Sequence, residues 1–298
     1  MLRLFIIVGF LLFSRAGLAQ EQLLTDSTVT VVGNWKKGDK ARFLIVKTKT
    51  QSQGRLSRVT DSLGAYAEIS VLEADSGRFI MQWKSIPPKN APAAQDAASR
   101  FLDNLEFKYT VLQTGEYAGL LNADEIKDAA YRMIDKTVKE RNIKDPKFSA
   151  EMKKMFSSKE NIEAAVMRDV LVYHTLYGGE YTLKKKISEP SLLPNVLGGD
   201  PLPAILTAEL TGINRLKNTC TIKINHVLDP AKINAAMADW RKKYVKSRNT
   251  KTPSISVNDN ITVTLDLVNG WFNEINNVRN VVVNGVKVVE RVTVKKIN

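Results

Sequence analysis

Four stretches in the first third of the chain, STVTVV, ARFLIVKT, AYAEISVLE and RFIMQWK, alternate apolar with polar residues or run apolar with β-branched side chains. A period of two is what a strand with one buried face requires. EADSG, between the last two, is a short hairpin loop, and SIPPKNAP is a break. PAAQDAASRFLDNL (92–105) brings Ala94, Ala97, Phe101 and Leu105 near one helical face, so a short helix is expected there. EFKYTVLQTGEYAGLLN then returns to strand.

The period changes after Asn122. Ile126, Ala129, Ala130, Met133, Ile134 and Val138 recur at three and four, as on an amphipathic helix, with Asn122 as its N-cap. Pro146 suits the first position of a second helix. Ser157 and Glu160 fit a capping box for a third, which Gly178-Gly179 ends. Strand patterns resume in YTLKKKIS, AILTAELTGI, NTCTIKINHV and ITVTLDLVN. One helix interrupts them: Asp229 caps it, Pro230 opens it, and Ile233, Met237, Trp240 and Tyr244 form its stripe.

RNVVVNGVKVVE (279–290) carries the strongest local signal. Asn284-Gly285 suits a type I′ turn, which needs positive φ at both central residues. A two-residue loop fixes the register: Val283 opposes Val286, Arg279 opposes Glu290, Ile275 opposes Val294 and Glu274 opposes Lys295. Arg279 and Glu290 therefore face each other within an apolar stripe. They set register, or they line a cavity and hold a polar ligand group.

The first residues, MLRLFIIVGFLLFSRAGLAQ, place Arg3 before the apolar run Leu4–Phe13, with Gly17 and Ala19 at positions a signal peptidase reads. Residues 1–19 are expected to be a signal peptide, because the run is too short to span a bilayer as a helix. Arg3 and Arg15 are the only charged residues in that segment, so its removal lowers the formal charge from +13 to +11. An excess of this size favours anionic partners, and export makes nucleic acid the least suitable of them. The single cysteine, Cys220, excludes an internal disulfide and reads as a small buried residue in TCTIKIN.

Little else points to chemistry. GxSxG, HExxH, the P-loop and the dinucleotide glycine pattern are absent, and two distant histidines with one cysteine give no zinc spacing. His174 reads as a helix-end residue, and His226 as part of a strand-to-helix junction. NDN (258–260) reads as a turn. Arg241, Lys242, Lys243, Lys246 and Arg248 gather at a helix C-terminus, which the macrodipole favours and which an anionic surface could use. Lys184 and Lys186 are expected on one strand face, with Lys185 on the other. Trp35 and Trp271 follow the glycine-bearing turns VGNW and VNGW and are expected exposed at a sheet rim, where they could stack on a ligand.

KKGDKARF, TGEYAGLLNADEI and NGWFNEINNVRNVVVNGVKVVERVTV together resemble a loose group of uncharacterised exported β-rich proteins of Gram-negative envelopes. The resemblance implies periplasmic or outer-membrane-facing residence and brings no activity or site residues.

These readings predict an α+β fold, a large curved antiparallel sheet or partly open β-barrel with helices on one face. Residues 1–19 form the signal peptide and 20–298 one domain: 27–120 β-rich, 123–177 a helical insertion, 180–298 β-rich with one helix at 230–247. The expected role is that of an exported, non-catalytic envelope protein binding an apolar or amphiphilic ligand, or a protein partner. A hydrolase using carboxylates or a lone histidine, and an anion-binding surface protein for acidic glycan or glycolipid, are the alternatives. Arg279, Glu290, Trp35 and Trp271 are the candidate ligand residues, and Arg241, Lys242, Lys243, Lys246 and Arg248 the candidate anion residues. No metal, cofactor or nucleic acid is expected. Lipid, anionic envelope glycan or another envelope protein are the candidate partners, with no transmembrane segment beyond the signal.

Overall fold

A computed structural model of the chain describes residues 27–54, 56–86, 105–193, 202–244, 255–283 and 286–297. The signal peptide expected at 1–19, the helix expected at 92–105 apart from Leu105, the Asn284-Gly285 turn, and Lys246 and Arg248 lie outside these residues.

In chain order the elements are β1 (Thr28–Thr30), β2 (Lys40–Gln53), β3 (Leu56–Ala74), β4 (Arg78–Ile86), β5 (Glu106–Leu112), β6 (Tyr117–Leu120), α1 (Ala123–Glu140), α2 (Pro146–Lys154), α3 (Lys159–Val166), α4 (Arg168–His174), β7 (Glu180–Thr182), β8 (Lys186–Leu193), β9 (Leu202–Asn214), β10 (Thr219–Leu228), α5 (Pro230–Tyr244), β11 (Ile255–Asp266), β12 (Phe272–Val283) and β13 (Val286–Ile297). Eleven strands form one antiparallel sheet in the order β6-β5-β4-β3-β2-β13-β12-β11-β10-β9-β8, and β1 pairs separately with β7. The two strand-rich ends of the chain join where β13 pairs with β2, with Val294 opposite Ile45.

This corrects the expected fold class. The chain is mostly β rather than α+β, and of the two sheet forms expected, the large antiparallel sheet is the one present, open, with β6 and β8 as edges. The helices among the described residues are few and small, the longest being α1 with 18 residues. Strand was underestimated because hairpin ladders satisfy backbone groups whatever the side chains do. Residues 56–64 are exposed on both faces yet continue β3 opposite β2. At the far end of this ribbon Leu56 is 80% exposed. NDN (258–260), expected as a turn, lies inside β11. The predicted strand 181–188 is broken instead: Lys184 has φ +61°, which ends β7 and separates it from β8, so the three lysines share no continuous strand.

One face of the sheet is apolar. Phe43, Ile69, Met81, Tyr109, Phe272, Val263, Ile222 and Leu210 come from eight different strands into one buried cluster. Ile126, Ile134, Ile162, Val170, Tyr173, Leu176 and Tyr177 complete it from α1, α3, α4 and the segment after α4. The sheet bends round that last segment: Glu116, near one edge, and Ile187, on the other edge strand, border the same cleft beside Thr175–Tyr181. An open sheet of this many strands curls because each strand twists against its neighbour.

Aromatic rings pack the centre. Tyr173 meets Phe272 edge-on at 4.7 Å, and Trp35 meets Tyr177 at 5.1 Å and Phe79 at 5.3 Å. His174 is enclosed there. Its Nδ1–H donates to Gly115 O at 2.8 Å and its Nε2 lies 3.3 Å from the Tyr109 hydroxyl. Burial pushes its pKa down to about 4, so it is neutral and is not the cationic helix-end residue the C-terminus of α4 would favour. Cys220 is buried as expected, and burial pushes its thiol up to about 12.

The caps follow the sequence with two changes. Asp145 accepts from Lys147 N and Asp229 from Ala231 N, each opening a proline-started helix. Ser158 rather than Ser157 caps α3, through Asn161 N. Asn122 precedes α1 but makes no capping bond: its amide instead ties down the β5 backbone, accepting from Lys108 N and donating to Glu106 O.

Two predictions follow from this core. Gly270 has φ +71°, and a Cβ there would lie 2.6 Å from Val32 O. Gly270→Ala is expected to cost about 2 kcal/mol or more in urea denaturation, from backbone strain and the clash together. His174 gives a pH dependence. Its folded pKa lies below the roughly 6.5 of the unfolded state, so its stabilisation is complete above that value and is lost as pH falls towards 4. The full effect is about 3 kcal/mol. Relative to wild type, His174→Gln should flatten the fall in the urea midpoint between pH 7 and pH 4.

Candidate functional site

Residues opposite each other in an antiparallel ladder project from the same face, so register can be followed across the sheet. Starting from Arg279 and Glu290, it yields one continuous row. Glu189 opposes Leu206, Leu206 opposes His226, His226 opposes Asp259, and Asp259 opposes Arg279. Arg279 opposes Glu290, Glu290 opposes Lys49, and Lys49 opposes Asp61. This polar row lies on the core face of the sheet, between two apolar clusters. On one side is the main core. On the other, Leu202, Ala204, Leu228 and Ile255 pack against Ile233 of α5.

The expected hairpin register holds throughout β12 and β13, including Arg279 opposite Glu290. The side chains, however, choose other partners. Arg279 turns to β11 and grips Asp259 with two hydrogen bonds, Nε to Oδ1 at 2.6 Å and a terminal nitrogen to Oδ2 at 2.5 Å. Asp259 is buried and Arg279 nearly so, and Asp259's hydrogen bonds raise the guanidinium's pKa further. Glu290 pairs with Lys49 at 3.2 Å, both substantially exposed.

His226 sits beside this pair. Desolvation lowers its pKa, and so does Arg279, while Asp259 and Glu189 oppose the shift. Its Nε2 is buried and has no hydrogen-bond partner. One row nearer the core, Ile187, Ala208 and Ile224 are register neighbours. They floor a cleft of about 290 Å³, walled by Thr175–Gly179 and Tyr181 and bordered by Glu116 and Glu189. The row and the cleft meet at Leu206, which lines the cleft and opposes His226.

Other candidates lie elsewhere. Trp35 and Trp271, expected at an exposed rim, are each 4% exposed and lie in the core with ring centroids 5.3 Å apart. Their glycines explain the difference: Gly270 passes against the backbone of 32–34, drawing the two turns inward together. Arg241, Lys242 and Lys243 fall in the last turns of α5, with Lys246 and Arg248 beyond the described residues. The sequence reading missed His226, Asp259 and Glu189 as neighbours. Alternation in NTCTIKINHV and in the stretch before ITVTLDLVN places His226 and Asp259 on inner faces, but which strands adjoin is not written in either segment. Among the described residues no group of His, Cys, Asp and Glu could hold a metal, and no helix is long and apolar enough to cross a membrane.

The energetics of the row can be measured. Arg279→Met removes the guanidinium that makes two hydrogen bonds to buried Asp259 and is expected to cost about 3–5 kcal/mol in urea denaturation. Arg279→Met combined with Asp259→Leu should recover most of that loss. Lys49→Ala breaks an exposed pair and should cost less than about 1 kcal/mol.

No protein-family model matches the chain, so the resemblance carried by its sequence motifs gains no named family, and no curated protein matches it. Among solved structures, Ail, the attachment invasion locus protein of Yersinia pestis, aligns with 6% identity over 88% of this chain and 98% of its own, at a TM-score of 0.18. At that score the likeness carries no argument about fold or function.

Proposed function

We propose that the protein is an exported, non-catalytic binding domain that holds a small amphiphilic molecule in the cleft between the sheet and the segment after α4. The cleft carries the proposal: about 290 Å³, at the small end of the range for ligand sites, with an apolar floor and a few polar groups at its border. The leader-like residues 1–19 support export, and the absence of any nucleophile–base motif supports binding over turnover. Residence in the periplasm or at the outer membrane belongs to the same proposal. A second reading, hydrolysis by a lone histidine, draws on His226 standing opposite Asp259 and one register position from Leu206, which lines the cleft.

The neutral fluorescent amine N-phenyl-1-naphthylamine tests the cleft. Its emission should rise on binding, with saturation in the micromolar range. Ile187→Trp, a change on the half-open floor at the edge strand, should weaken binding at least tenfold while circular dichroism and the melting temperature stay close to wild type. No rise in emission, or equal binding by a folded Ile187→Trp variant, would overturn the proposal. Release of nitrophenol from a short-chain nitrophenyl ester, abolished by His226→Gln, would favour the hydrolase instead.

A further inference from the structure

We propose that the polar group recognised in this cleft is a protonated amine, so that the ligand is a cationic amphiphile such as an alkylammonium. The inference rests on the binding reading above and deepens it.

It comes from counting donors and acceptors. The hydroxyl donors of the cleft wall are already engaged with backbone carbonyls: Tyr177 Oη donates to Gly270 O at 2.5 Å, Tyr181 Oη to Leu176 O at 3.2 Å, and Thr175 Oγ1 to Leu171 O at 2.9 Å. What these hydroxyls still offer is lone pairs. The two charged groups on the cleft's border, Glu116 and Glu189, are carboxylates, which accept only. The Glu116 carboxylate accepts from Thr114 Oγ1 at 2.8 Å. Among the described residues neither glutamate is in a salt bridge, whereas Arg279 is matched by Asp259 and Lys49 by Glu290. A chain of formal charge +13 therefore presents an acidic spot at this cleft. An anionic or purely accepting head group would meet carboxylates and lone pairs instead.

Calorimetric titration at pH 7.4 and 150 mM salt with octylammonium, octanol and octanoate separates the possibilities. Octylammonium is expected to bind at least tenfold more tightly than octanol, and octanoate more weakly than either. The double variant Glu116→Gln with Glu189→Gln should lose the preference for the ammonium and keep its affinity for octanol. Binding of all three ligands with equal affinity, or a preference that persists in the double variant, would overturn the amine assignment and leave the cleft itself standing. Binding of none would overturn the binding proposal along with it.

Discussion

The inner face of an eleven-stranded antiparallel sheet must be shielded from water, and here α1, α3, α4 and the segment after α4 shield its main core. Tyr173, Leu176 and Tyr177 stand among rings and aliphatic groups from strands at both ends of the sheet order. Tyr177 donates to Gly270 O, linking the segment after α4 to the turn before β12. Apolar burial stabilises at roughly 25 cal/mol per Å², so residues contacting many strands at once contribute heavily to keeping an open sheet bent. His174 shows how polar groups survive there: it stays neutral and both ring nitrogens have partners.

Shielding stops where the helices stop. Beyond the main core the same face continues, and the chain places a row of alternating charges there before a second, smaller core begins under α5. Arg279 and Asp259 are tolerated at low exposure because their two hydrogen bonds are made together. Lys49 and Glu290, nearer water, hold each other weakly. The row thus divides two apolar zones of one sheet face. At its β8–β10 end it runs into the cleft, where polar acceptors border an apolar floor.

The hairpin 274–295 was legible to the residue because turn chemistry and alternation are local, and its register holds. Asp229 as a cap and Pro146 as a helix start were legible for the same reason, and Asp145, which caps that second helix, was not singled out. Trp35 and Trp271 were misplaced because a glycine turn looks alike at a rim and in a core. Only the passage of Gly270 against 32–34 distinguishes the two. The long exposed ribbon of β2 and β3 was underestimated because side-chain pattern reports burial, and a ladder of backbone bonds needs none.

Local chemistry therefore decided the Asp229 cap, the burial of Cys220 and the pairing of Arg279 opposite Glu290. The side-chain partners were decided by tertiary structure. Arg279 has opposite charge on both neighbouring strands, and it takes Asp259, twenty positions away and more deeply buried, because an ion pair gains most where water screens it least. The sheet order, the cleft and the place of His226 were settled in the same way. Which strands become neighbours depends on how the whole inner face is covered, and no single segment of the chain contains that information.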